Sequence, residues 1–131
     1  MTTNLDIIAA ALKQVQTTGT HPDSNFVIFN IDTSKNYYVQ LAVESNPQNG
    51  LHAEAVSNEF LDPEARLDQE QIRRLHLLGW KDPESSPNYE RDWIAATDAD
   101  RWAIAREILQ TCVDVYGMSP HHQLDVITEI S

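Results

Sequence analysis

Three runs of alternating or apolar character, joined by turns too short to hold a helix, constrain this chain more than anything else in it. Phe26 to Ile31 is a short apolar run. Tyr37, Val39, Leu41 and Val43 then alternate with Tyr38, Gln40, Ala42 and Glu44, and Leu51, Ala53 and Ala55 alternate with His52, Glu54 and Val56. A period of two puts successive side chains on opposite faces of a strand. The connections are Asp32-Thr33-Ser34-Lys35-Asn36 and Asn46-Pro47-Gln48-Asn49-Gly50, the latter ending in an Asn-Gly pair that tolerates positive φ. A parallel crossover needs a dozen residues or more, so these strands must pair antiparallel as a meander.

Helical signals flank the meander. Leu5, Ile8, Leu12 and Val15 recur at helical spacing and predict an amphipathic helix from about Asn4 to Gln16, ended by Gly19 and Pro22. Leu67, Asp68, Gln71 and Ile72 fit a capping box with a hydrophobic staple. Ile72, Leu75 and Leu78 continue that second helix as an apolar stripe, and Gly79 stands where a left-handed cap closes it. A Pro/Ser-rich loop covers Lys81 to Asn88. Tyr89, Arg91, Trp93 and Ala95 then alternate with Glu90, Asp92, Ile94 and Ala96 as a fourth strand. Thr97 caps a third helix with Asp98 and Asp100 in its first turn, where the helix dipole favours acids. Trp102, Leu109, Cys112, Val113 and Tyr116 supply its apolar side, and Gly117 closes it. Leu124, Val126 and Ile130, alternating with Asp125 and Glu129, read as a last strand. The expected fold is α+β: an antiparallel meander sheet packed with helices in the order α-β-β-β-α-β-α-(β), as one domain over residues 1–131.

Charge narrows the partners. With 20 acidic against 9 basic side chains the net charge is −11. The acids are spread along the chain, and the adjacent pair Arg73–Arg74 shares its segment with Asp68 and Glu70. Nucleic acids and anionic membrane surfaces both demand a clustered basic surface, so neither is an expected partner. A basic or partly unfolded protein is. No run approaches the ~20 apolar residues of a membrane span. Met1 to Asp6 lacks the basic start of a signal peptide, so a cytoplasmic location is expected.

Candidate chemistry is thin. His52-Ala53-Glu54 matches half of a zinc deaminase signature, but the other half needs a cysteine pair and Cys112 is the one cysteine. On a strand His52 and Glu54 share a face, as do Glu90 and Asp92, so a polar sheet face accounts for all four. His121 and His122 are adjacent and would point apart on a strand, which suits an exposed pair better than a metal site. Cys112 sits at helical spacing from Leu109 and Tyr116 with no base beside it, and reads as a buried thiol. No catalytic residue, cofactor site or metal site is expected. A small enzyme or ligand-binding domain would have to use His52, Glu54, Glu90 or Asp92 in a sheet-side cleft.

The unusual stretch is Leu75-His76-Leu77-Leu78-Gly79-Trp80-Lys81-Asp82-Pro83, followed by Pro87-Asn88-Tyr89 and Trp93. Trp80, Tyr89 and Trp93 either anchor this loop to the core or grip a partner chain. In its L-x-x-L-G-W-x-x-P stretch and in its order of elements the chain resembles bacterial domains related to type III secretion chaperones and to YbjN, the TY-Chap-like family. It departs from secretion chaperones in having one strand between the second and third helices, and in adding a strand over Gln123 to Ser131. The resemblance implies a non-enzymatic α+β domain, commonly a homodimer, that holds protein segments or regulates a partner, with no catalytic residue to carry over. The leading expectation is thus a chaperone-like, protein-binding homodimer with Trp80, Tyr89 and Trp93 toward the partner and a small-residue sheet face at Ala53 and Ala55 able to accept a helix or strand. An immunity-type inhibitor of a basic protein fits the charge as well.

Overall fold

The computed structural model describes residues 2–131. Its main elements are α1 (Asn4–Thr17), β1 (Phe26–Asp32), β2 (Tyr37–Glu44), β3 (Gly50–Ala55), α2 (Gln69–Leu77), β4 (Tyr89–Ile94), α3 (Asp98–Asp114) and β5 (Asp125–Glu129). The α+β class and the element order match the sequence expectation, including the added last strand. The strands form one five-stranded antiparallel sheet in the order β4-β3-β2-β1-β5.

Each helix starts at a reciprocal cap. Thr3, Asp68 and Thr97 accept from the backbone amide three residues on, and Asp6, Gln71 and Asp100 reach back to the cap amide. These bonds satisfy amides that have no partner inside the helix. At the far end of α2, Gly79 takes φ +94°, the Trp80 amide donates to the Leu75 carbonyl and the Gly79 amide to that of His76, both at 3.0 Å. This double bond is the Schellman closure, and it turns Trp80 into the core directly after the helix.

Helices α1 and α3 pack together on one side of the sheet. Ile8, Leu12 and Val15 of α1 meet Val27, Phe29, Val39, Leu41 and Leu51 in a core from which water is excluded. Each such side chain contributes about 1.5–3 kcal/mol on burial. The buried stripe of α3 differs from the expected one. It runs through Arg101, Ile104, Ala105, Ile108, Thr111 and Cys112, while Leu109 and Val113 are only partly buried at its flank. The reason is that two polar residues belong to it. Arg101 is tied to Gln16 at 3.0 Å and Asp98 at 2.8 Å, and Thr111 accepts from the Trp80 indole at 3.0 Å. Ala53 and Ala55 also lie in this core, so the small-residue face is covered by the chain's own helices and is closed to a partner.

Candidate functional site

The register sorts the side chains of the other sheet face into rows. Ile127 stands beside Ile28, then Gln40, Glu54 and Glu90 on β2, β3 and β4. In the next row Glu129 is followed by Phe26, Ala42, His52 and Asp92. Ile127 is 48% and Phe26 37% exposed. The face therefore has an apolar patch of Ile127, Ile28 and Phe26 over β5 and β1, flanked by Asp125 and Glu129 on β5 and by a denser group of acids over β3 and β4. Its carboxylates are Glu44, Glu54, Glu90, Asp92, Asp125 and Glu129, and no lysine or arginine stands among these strand positions.

His52 is the hub of that denser group. Its Nδ1 lies 2.7 Å from Asp92 Oδ1 and 3.8 Å from Glu44 Oε1, and its Nε2 lies 3.4 Å from Glu90 Oε1. Partial burial works against the charged ring. The hydrogen bond and charge of Asp92, with Glu44 and Glu90 behind them, outweigh that cost and hold the imidazole above its ordinary pKa. Glu44, His52 and Asp92 each offer a ligand atom within 4.8 Å of the others, so the trio could hold a cation. Glu54 points into a separate network, accepting from Ser86 at 2.5 Å and from Gln40 at 3.3 Å. The four groups read from the sequence thus share a face, but His52 works with Asp92 and Glu90, and Glu54 stands apart. The partnership was hidden because Asp92 lies 40 residues further along the chain and meets His52 only through the β3–β4 register.

The three aromatics occupy different positions. Trp80 is 3% and Tyr89 6% exposed, so both rings anchor the loop in the core. Trp93 keeps partial exposure. It meets Trp80 edge-on with centroids 6.0 Å apart, donates from Nε1 to Glu107 at 2.9 Å and carries the Arg91 guanidinium 4.6 Å from its centroid. Glu107 also accepts from Arg91 at 2.7 Å, which locks β4 to α3.

The remaining candidates lie elsewhere. Cys112 is fully buried, and desolvation pushes its thiol up to about 12. His121 and His122 sit exposed in the turn before β5 rather than on a strand.

A single antiparallel sheet backed by helices on one side and open on the other defines an α+β domain. The chain is a member of the family described as T3SS (YopN, CesT) and YbjN peptide-binding chaperone 3, TY-Chap3, which it matches over residues 8–126. No curated protein and no solved structure matches it.

Proposed function

We propose that this chain is a non-enzymatic, chaperone-like domain that acts in the cytoplasm as a homodimer and holds a segment of a protein partner. Membership of a peptide-binding chaperone family supports the binding role. The observation that carries the site is the open sheet face, where exposed Ile127 and Phe26 adjoin a carboxylate field centred on His52. Two such faces repel each other, so the homodimer contact falls elsewhere. The end of α2, where Leu77 is 70% exposed, together with the neighbouring Trp93 segment, offers an apolar surface for it. No helix among the described residues is long and apolar enough to cross a membrane.

The test is affinity capture from native lysate at low and high salt, with mass spectrometry of the retained proteins and sedimentation analysis of the chain alone. A stoichiometric protein partner and a dimer mass are expected. Retention of nothing but the chain itself would overturn the binding role, and a strictly monomeric mass would overturn the dimer.

A further inference from the structure

From the arrangement of the open face we infer that the partner segment is basic and amphipathic, seating its apolar side chains on β5 and β1 and its lysines or arginines against β3 and β4. The inference rests on the binding role above and names the class of segment that fills it. Three observations carry it. The first is charge: the face offers six carboxylates, Glu44, Glu54, Glu90, Asp92, Asp125 and Glu129, with no lysine or arginine among its strand positions. A ligand without cations would bury or crowd these groups at a cost, whereas a cationic one neutralises them.

The second observation is the sorting of the face. Phe26, Ile28 and Ile127 are contiguous across β1 and β5, bordered along β5 by Asp125 and Glu129, and the denser group of carboxylates on β3 and β4 lies beyond the intervening strand. Neighbouring strands are about 4.8 Å apart, so the apolar patch on β1 and the acids of β3 and β4 are separated by roughly 10–14 Å. An amphipathic segment lying along β1 and β2 spans that distance, because lysine and arginine stems reach sideways over apolar surface while keeping the charge outward.

The third observation is relief. Ala42 is the small side chain between the patch and those acids, and a hollow of about 300 Å³ opens there, walled by Phe26, Gln40, His52 and Glu54. A second hollow of about 680 Å³ lies on the other side of His52, between Glu44, Pro47, Asp92 and Ile94. The first accepts an apolar side chain beside a carboxylate rim, and the second offers carboxylates to a cation. A second copy of this chain is a poor occupant because its own face carries the same six acids.

The experiment uses three synthetic fluorescent peptides of equal length. One is an amphipathic leucine/lysine helix, one has every lysine replaced by glutamate, and one has every leucine replaced by serine. Anisotropy titrations of the full chain should show binding of the leucine/lysine peptide, with at least tenfold weaker binding of the other two and weakening as salt rises. Ile127→Ser and the double change Asp92→Asn with Glu90→Gln should each weaken binding at least fivefold, with folding checked by circular dichroism. Lys13→Ala, on the exposed side of α1 behind the sheet, should leave binding unchanged. Equal binding of the leucine/glutamate peptide would overturn the basic class. No binding at millimolar peptide, or indifference to Ile127→Ser, would overturn the face assignment. Loss of the dimer in Ile127→Ser would give the face to a second copy and overturn the inference too. A protein partner captured from lysate alongside any of these results would leave the binding role standing and sink only this inference.

Discussion

Replacing Gly79 with alanine should cost more than replacing Gly117, although both glycines close a helix with positive φ. Gly79 has φ +94° and Gly117 φ +70°, and a left-handed conformation costs a residue with a Cβ about 1–2 kcal/mol. That penalty is common to both sites. A Cβ at Gly117 would meet nothing within 4 Å, whereas at Gly79 it would lie 3.1 Å from Arg91 Cζ and 3.2 Å from Nη1. The guanidinium has little freedom to retreat. It donates to the Leu78 carbonyl, pairs with Glu107 at 2.7 Å and stacks over Trp93. Displacing it puts a charge-assisted hydrogen bond at risk, a further loss of about 1–2 kcal/mol. Gly79→Ala should therefore cost about 2–4 kcal/mol in total. Over 131 residues, an unfolding entropy of ~2.1 cal/mol/K per residue makes each kcal/mol worth about 4 °C. Calorimetry should show a fall of roughly 7–14 °C for Gly79→Ala and roughly 4–7 °C for Gly117→Ala. In an Arg91→Ala background the excess at position 79 should vanish. Equal losses at the two glycines, or an excess that survives without Arg91, would refute the reasoning.

Four further outcomes follow from individual contacts. His52 is held above its ordinary pKa, so its stabilising contribution is complete below the unfolded-state value of about 6.5 and is lost as pH rises through the higher folded value. An NMR titration should place its midpoint above 6.5, and Asp92→Asn should lower it; a midpoint at or below 6.5 would contradict the geometry. Cys112, with its thiol near 12 and fully buried, should resist a thiol reagent at pH about 8 until the chain is denatured, and rapid native labelling would show that the core opens there. Thr97→Ala removes one half of the reciprocal cap on α3 and should cost about 1 kcal/mol in urea denaturation, with no loss expected if the cap is dispensable. Asn25→Ala should cost about 2–3 kcal/mol, because buried Asn25 serves the Val15 and Thr18 carbonyls and the Ser131 amide at once; a loss below about 1 kcal/mol would mean that water replaces it.

Local chemistry made the elements legible. The Asp68–Gln71 box, the positive φ at Asn49 and Gly79 and the alternation of β2 are each settled within a few residues, and all appear where the sequence places them. The stripe of α3 was misread because hydropathy favours Trp102 and Leu109 over Arg101 and Thr111. Those two polar residues are buried only because Gln16, Asp98 and the Trp80 indole meet them there. Asn25 escaped notice for a related reason: its partners lie at the end of α1 and at the end of the chain. In each case the decisive partner is distant in sequence.

The open face shows the same limit more sharply, and it bears on what the acids are for. Periodicity tells that Ile127 and Glu129 share one side of their strand, but only the strand order sets them beside Ile28 and Phe26. Acids on an edge strand have a ready explanation, since charge there discourages pairing with another sheet, and Asp125, Glu129, Glu90 and Asp92 on β5 and β4 fit it. Glu44 and Glu54 do not, because β2 and β3 are interior strands. On β1 the positions Phe26, Ile28 and Asn30 bring no carboxylate to that face, and with Ile127 they leave an apolar strip between Asp125 and Glu129 of β5 and the acids of β3 and β4. An exposed apolar strip set between two groups of carboxylates costs solubility without helping the fold, whose core lies on the opposite side of the sheet. Such an arrangement is advantageous to a surface that must receive something apolar on one flank and cationic on the other.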